Sequence, residues 1–198
     1  MTTNGRYLGV IRDELSYVAD VVRQELGGVD PAAAFYRSNM RRLDATADTG
    51  ALTSGVMTSV LKYYRKGDIV TSLTFRSGGT AAVAPTNWWF ALYSAATTPA
   101  LLQQSADQLT TAWAATTNKT LALAAPVIIP ADGWYWDAVM VKATTVPSLV
   151  GISTTASAGI VAGERNLAQT SGSGLAGIAP ATIASPTAAA TVPLVIAT

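Results

Sequence analysis

The sequence contains no cysteine and no histidine among its 198 residues. A chain without these side chains forms no disulfides, no zinc site of the usual kind, no Ser-His-Asp or Cys-His catalytic centre, and no haem site ligated through either residue. We therefore predict a protein without metal or cofactor and without enzymatic activity.

Charge is also sparse and balanced. Thirteen Lys and Arg against twelve Asp and Glu leave a formal net charge of +1, and charged residues make up only 13% of the chain. A nucleic-acid-binding surface requires a basic stripe that this composition does not provide. No apolar run reaches the length of a bilayer span. We expect neither nucleic acid nor membrane as a partner.

One glycine motif has the spacing of a dinucleotide-binding loop. Residues 172–177 read GSGLAG, which matches G-x-G-x-x-G. That motif requires a surrounding βαβ unit and a following acidic residue that holds the ribose, but no acid follows Glu164. We interpret the match as chance in a glycine-rich stretch.

The charged residues are concentrated near the start of the chain. Residues 1–50 hold six Lys/Arg and seven Asp/Glu, whereas residues 51–198 hold seven and five. A compositional shift of this kind predicts a boundary near Gly50. We therefore divide the chain into an anchoring or oligomerisation region, 1–50, and a head, 51–198.

An apolar seam runs through the first region. Its residues alternate at steps of three and four, the spacing of a coiled coil, and comprise Leu8, Ile11, Leu15, Val18 and Val22. A single helix of about twenty residues is marginal alone in water, so the seam requires a partner. Identical chains, another protein and the chain's own head all remain open as that partner.

A second helix is predicted to begin at Asp30, with Pro31 at its first position, and to end near Leu43. It carries a small basic cluster of Arg37, Arg41 and Arg42. The cluster is typical of a solvated helix face, and docking onto an acidic surface of a larger assembly is the alternative.

From Ala51 onward the chain changes to short runs of Val, Ile, Thr and aromatic residues separated by Gly, Pro, Asn and Asp. Seven or eight such runs without a helical period predict an antiparallel sandwich or barrel and not βαβ units. The predicted fold is mainly β: a jelly-roll-like β-sandwich head preceded by an α-helical N-terminal base.

Two of the predicted strands are rich in aromatic residues, NWWFALYS at 87–94 and GWYWDAVMVKA at 133–143. Strand alternation places Trp88, Phe90 and Leu92 on one face and Trp89, Ala91 and Tyr93 on the other. The second strand divides in the same way, with Tyr135, Asp137, Val139 and Val141 opposite Trp134, Trp136, Ala138 and Met140. Aromatics at this density favour a core, and a surface platform for sugars or a subunit interface is the alternative.

Two residues near these strands are candidates for a site. Trp113 lies in a Thr/Ala-rich stretch and is the tryptophan most expected to be exposed, where its ring could stack on a ligand. Asp137 lies beside aromatics like an acid catalyst, but it lacks the second carboxylate that glycoside hydrolysis requires. We therefore retain Trp113 as the candidate ligand-stacking residue.

Residues 154–191 are dominated by Ala, Gly, Ser, Thr and Pro. Small residues permit close backbone approach, which predicts ordered loops packed against neighbouring subunits. A flexible linker is the alternative.

The order of phrases ALTSGVMTSV, GDIVTSLTFRSGG, PTNWWFALYS and TTAWAATTNKTLALAAPVIIPADGWYWDAVMVKAT resembles a β-sandwich head of tailed-bacteriophage virion proteins, particularly those of phages that infect actinobacteria. The likeness covers roughly residues 51–198. It implies a structural or adhesive role on the surface of the phage particle, without catalysis, and assembly as a homotrimer with other virion proteins as partners.

Three functions follow as hypotheses. The first is an oligomeric capsid decoration or short head fibre that docks by its N-terminal helices, which suits the short chain. The second is a receptor-binding module of a tail fibre or tail tip, with Trp113 stacking on a glycan of the host cell wall. A wall hydrolase ranks last, because the five acids of the head, Asp68, Asp107, Asp132, Asp137 and Glu164, are scattered along the sequence.

Overall fold

The computed structural model describes residues 36–198, and this part of the chain consists of strands and loops without a helix. Thirteen strands follow one another: β1 Arg37–Ser38, β2 Ala47–Ala51, β3 Met57–Tyr64, β4 Ile69–Arg76, β5 Val83–Tyr93, β6 Leu101–Gln104, β7 Asn118–Ile128, β8 Gly133–Thr145, β9 Ser148–Ser153, β10 Ala168–Ser171, β11 Thr187–Ala188, β12 Thr191–Pro193 and β13 Val195–Ala197.

A six-stranded sheet in the order β11-β10-β3-β8-β5-β6 forms one layer. Its strands pair antiparallel, and β8 lies between β3 and β5. The registers place Val60 opposite Asp137 and Trp89 opposite Met140. Residues 135–141 of β8 are buried, because hydrophobic clusters cover both faces of the sheet at this strand.

Two smaller sheets complete the structure: a four-stranded sheet in the order β1-β13-β4-β7 and a three-stranded sheet in the order β12-β9-β2. The larger hydrophobic cluster takes residues from all three sheets, for example Phe90 from β5, Phe75 from β4 and Leu149 from β9. The prediction of an antiparallel, sandwich-like architecture is confirmed. The jelly-roll arrangement is not observed, since a jelly roll divides eight strands between two sheets.

A second cluster lies on the opposite face of the six-stranded sheet. Trp89, Tyr93 and Trp136 of this face pack with Ala179 and Ile183 of the segment that precedes β11. Tyr93 also donates its hydroxyl hydrogen to Pro180 O at 2.8 Å. The alanine-rich segment thus covers a face of its own sheet, where the sequence had predicted packing against neighbouring subunits.

The predicted α-helical base is wrong wherever the structure describes it. Within the proposed second helix, Arg37 and Ser38 form β1 and pair with Ala197 and Ile196 of β13. Asn39 extends this pairing, because its side chain donates to Pro193 O and accepts from Val195 N, both at 2.9 Å. These contacts with the C-terminal strand outweigh the local helix signals, which concern only neighbouring residues.

Strand β2 also lies mostly before the boundary predicted near Gly50. It pairs with β9 in the three-stranded sheet, with Ala47 opposite Gly151 and Ala51 opposite Ser148. The β structure therefore includes residues that were assigned to the anchoring region.

Candidate functional site

Strand alternation correctly assigns the aromatic side chains of β5 and β8 to the two faces of the six-stranded sheet. Trp88, Phe90 and Leu92 join the cluster between the sheets, whereas Trp89 and Trp136 join the cluster on the opposite face. All five are buried. These residues of the aromatic runs therefore form the interior of the sandwich and not a binding platform.

The expected exposure of Trp113 is wrong. Its side chain is 0% exposed, stacks on Trp88 and donates Nε1–H to Thr117 O at 3.2 Å. The segment between β6 and β7 folds back over the core, so its turn-like Thr/Ala composition did not imply exposure. A fully buried indole offers no face to a sugar, which removes Trp113 as a stacking residue.

The basic cluster does not form one face of a helix. Arg37 holds Asp68 through two side-chain hydrogen bonds of 3.0 and 3.1 Å, and Arg41 holds Asp44 through two of 3.0 Å. Arg42 is exposed. Arg37 and Arg41 are thus engaged within the chain. Leu8, Ile11, Leu15, Val18 and Val22 lie outside the described residues, and their role as a seam stays a prediction.

The exposed tryptophan is Trp134, at the start of β8. Half of its surface is accessible (51%), and the ring of Tyr63 meets it edge to face at a centroid distance of 5.3 Å. Strand alternation had placed Trp134 on the face shared with Trp136 and Met140. It lies near the start of the strand and outside the cluster that Trp136 forms with Ala179 and Ile183, and it is therefore accessible.

Trp134 forms one wall of an open groove of about 650 Å³. The loop between β9 and β10 forms the facing wall, and the groove is lined by Asn39, Leu61, Trp134, Ala156, Ala158, Gly159, Ile160, Gly163, Glu164, Arg165 and Leu167. Ile160 and Leu167 are themselves 78% and 47% exposed. The groove therefore combines an aromatic corner with exposed aliphatic side chains.

The loop is held in place by its two charged residues. The Glu164 carboxylate accepts hydrogen bonds from Ile160 N at 2.7 Å and Val161 N at 3.1 Å, and these bonds lower the pKa of that carboxyl. Arg165 donates to Ala95 O and to Trp134 O, the latter at 3.2 Å. Arg165 thus ties the loop to the strand that carries Trp134.

A second depression, of about 730 Å³, adjoins the groove on the other side of Gly163, Glu164 and Arg165. Trp136 and Gln169 line it. The Trp136 indole is 3% exposed, and its Nε1–H has no hydrogen-bond acceptor among the described residues. A buried donor without an acceptor is uncommon in proteins.

Sequence reasoning missed a buried ionic cluster. Asp137, interpreted as an isolated acid, forms an ion pair with Lys62 and accepts a hydrogen bond of 2.9 Å from the Tyr64 hydroxyl. Each of the three residues is at most 1% exposed. The missed signal was the alternation in β3, which places Lys62 and Tyr64 on the same inward face as Val60.

Within residues 36–198, no three Asp or Glu side chains are grouped closely enough to hold a metal ion. The same residues contain no helix capable of crossing a membrane.

Comparison with protein-family models and with curated protein sequences gave no match to this chain.

Proposed function

We propose that this protein is a non-enzymatic structural protein of a bacteriophage particle, an oligomeric capsid decoration or short head-fibre protein. The observation that carries the proposal is the groove beside Trp134, where aromatic and aliphatic side chains are exposed at one end of an otherwise well-packed sandwich. Exposed apolar surface of this kind is typical of sites where one protein contacts another. The resemblance of residues 51–198 to phage head domains implies a structural or adhesive role, which agrees with such a contact.

The proposed contact joins the groove to an apolar surface of a neighbouring virion protein. Trp134 would supply its centre, because a large ring removes much area from water at little conformational cost, and the exposed ring of Tyr63 lies beside it. Arg165 and Glu164 would hold the loop in the bound arrangement, since their hydrogen bonds are already formed in the free chain. We also propose a homotrimer, which native mass measurement of the full chain would report as three times the chain mass.

The test uses particles of the phage that encodes this chain, prepared from a deletion mutant that lacks it. Added wild-type protein should bind these particles, and Trp134→Ala should weaken binding about tenfold or more, as expected for a central aromatic contact. Ile128→Ala is the matched control, because Ile128 is 67% exposed but does not line the groove. Failure of the wild-type protein to bind, or equal binding by Trp134→Ala, would contradict the proposal.

A second candidate is a receptor-binding module that recognises a glycan of the host cell wall. One observation favours it: the accessible face of Trp134, which can stack on a sugar ring. In this version Trp134 takes the role that the sequence had given to Trp113. A sugar would bind by stacking and by hydroxyl hydrogen bonds.

A further inference from the structure

The side chains of Lys62 and Asp137 meet inside the sandwich. The β3–β8 register places Lys62 opposite Tyr135 and Val60 opposite Asp137, so Lys62 and Asp137 are diagonal neighbours on the same face of the sheet. Long side chains reach across such a diagonal. The Lys62 Nζ atom contacts Asp137 Oδ2, and both side chains are shielded from water.

The surroundings of this pair are mostly apolar and aromatic. Lys62 Nζ lies 4.8 Å from the centroid of the Tyr64 ring and 3.5 Å from the backbone oxygen of Arg37. The Tyr64 hydroxyl is 2.9 Å from Asp137 Oδ1 and 3.3 Å from Oδ2. An ammonium has three hydrogens to donate, and the acceptors described near Lys62 Nζ are Asp137 Oδ2 and Arg37 O. The site therefore stabilises a charged lysine poorly.

Such an environment favours the neutral forms of both groups. Burial lowers the pKa of the Lys62 amine and raises the pKa of the Asp137 carboxyl. The attraction between the two charges shifts each pKa in the opposite direction, but the effect of burial is larger. Transfer of one proton from the ammonium to the carboxylate gives an amine beside a carboxylic acid. These are the two reactants of amide formation, held in contact in a water-excluded site.

We infer that Lys62 and Asp137 condense to an intramolecular isopeptide bond that links β3 to β8 covalently. The Nζ lone pair attacks Cγ of the protonated Asp137 carboxyl and forms the C–N bond. The C–Oδ2 bond breaks, and the departing hydroxyl takes a proton from nitrogen and leaves as water. No oxidant, reductant or other reactant is consumed.

Tyr64 is the catalytic residue for this step, because its hydroxyl contacts the reacting carboxyl. Its hydrogen bond to Oδ1 polarises the carbonyl and stabilises the negative charge that develops on that oxygen during attack. Lys62 faces the other oxygen, Oδ2, which is the one that leaves. The shorter of the two Tyr64 contacts, 2.9 Å to Oδ1 against 3.3 Å to Oδ2, together with the Lys62 contact to Oδ2, favours separate roles for the two carboxyl oxygens.

The product fits the site better than the ion pair does. The amide keeps one N–H, for which Arg37 O is available, and one carbonyl oxygen, which accepts from Tyr64. The two buried charges disappear, and with them the cost of keeping ions out of water. This inference is independent of the proposed function, since it concerns only the interior of the head.

Intact mass measurement of the denatured full-length chain tests the bond. Wild-type protein should be lighter than its sequence mass by one water molecule, whereas Lys62→Met and Asp137→Ala should each have the full mass of their sequences. Lys142→Met is the matched control, because Lys142 is an exposed lysine on β8, and it should still lose water. The variants need not be soluble, since the measurement is made on unfolded chains.

Asp132-Gly133 provides an essential second control, because an Asp-Gly pair can also lose water by closing a succinimide ring. Asp132→Ser should therefore retain the water loss. Trypsin should leave residues 43–65 joined to residues 120–142 in one branched peptide, since an acylated Lys62 is not cleaved. Fragmentation should place the branch at Lys62 and Asp137. A wild-type chain of full mass, or water lost at any other position, would overturn the inference.

Tyr64→Phe separates the chemistry from the fold, because it keeps the ring and removes only the hydroxyl. Freshly purified Tyr64→Phe should contain a smaller cross-linked fraction than wild-type protein. Its remaining chains should form the cross-link more slowly during incubation. An unchanged rate would overturn the role given to Tyr64, while the wild-type mass alone decides whether the bond exists.

Discussion

Trp88 and Trp113 stack on each other in the core, with ring centroids 5.1 Å apart and ring planes at 30°. Phe90 meets Trp113 edge to face at 5.6 Å. Both tryptophans also donate their indole hydrogens to backbone carbonyls, Trp88 to Thr111 O and Trp113 to Thr117 O. This arrangement fixes the loop that precedes β7 over the core.

Trp113→Ala should therefore destabilise the protein strongly. Loss of a buried indole in a packed core costs about 3 to 5 kcal/mol, and the cavity would lie beneath the loop that Trp113 anchors. Denaturant unfolding followed by circular dichroism measures the change. A loss of about 0.5 kcal/mol or less, the usual scale for surface positions, would show that Trp113 is not part of the core.

Trp134→Ala should leave the stability almost unchanged, because half of the side chain is exposed and its main ring contact is with Tyr63. We expect a loss of about 1 kcal/mol or less in the same unfolding experiment. On a glycan array, a sugar that binds the wild-type protein and not this variant would favour the receptor-binding module. Absence of any bound sugar, together with binding to particles, would favour the decoration protein.

Arg37→Ala should weaken the attachment of β1. Arg37 donates two hydrogen bonds to the Asp68 carboxylate, and the Asp68 side chain is only 12% exposed. A partly buried bidentate pair of this kind should contribute about 1 kcal/mol. The exposed Arg41–Asp44 pair supplies the control, since Arg41→Ala should cause no measurable change. Equal effects of the two substitutions on the unfolding midpoint would contradict this assignment.

Acid should destabilise the head partly through Asp48. Hydrogen bonds from the Ser148 hydroxyl at 2.9 Å and from Gly79 N at 2.6 Å lower the pKa of this carboxyl in the folded state. A group with a lowered folded pKa stabilises the protein above its unfolded pKa, and this contribution is lost as the pH falls through the folded value. Asp48→Asn should therefore reduce the dependence of stability on pH below about 4.

Unfolding midpoints measured from neutral to strongly acidic pH would show this difference. Asp44→Asn is the comparison, because Asp44 also has a lowered pKa but its side-chain hydrogen bonds within residues 36–198 are to Arg41 of the same local turn. If the unfolding midpoint of Asp48→Asn falls in acid as steeply as that of the wild-type protein, the role given to Asp48 is wrong.

Gly151→Ala should disrupt the three-stranded sheet. A Cβ atom at this position would overlap the backbone of Val192 and would lie 2.8 Å from Pro193 Cα, closer than real contacts allow. Backbone atoms of a paired strand cannot move aside locally, so we expect a loss of about 2 to 3 kcal/mol. An unfolding midpoint equal to that of wild-type protein would show that the sheet can open at this point.

The sequence is most informative where a property is local. The two-residue period of β5 and β8 correctly assigned Trp88 and Trp89 to opposite faces, since alternation depends only on strand geometry. The second helix failed because β1 depends on β13, and Asn39 and Val195 are 156 residues apart in sequence. Capping residues near Asp30 contain no information about that distant partner.

The candidate site was less predictable than the fold. Trp134 and Trp113 could not be distinguished as exposed and buried, because exposure depends on which loops cover each residue. Lys62 and Asp137 are 75 positions apart, and only the pairing of β3 with β8 brings them together. An inward-facing lysine was visible in the alternation of β3, but its partner required the strand register.

The position of β13 between β1 and β4 sets the order in which the protein can fold. Its residues, Val195–Ala197, insert between strands that lie more than a hundred residues earlier in the chain. The four-stranded sheet can therefore form only after the ends of a long stretch of chain have come together. Contacts between residues so far apart in sequence slow folding to about milliseconds or seconds. Until then the unpaired edge of β4 can pair with strands of other chains, so the C-terminal strand protects the finished sheet from aggregation.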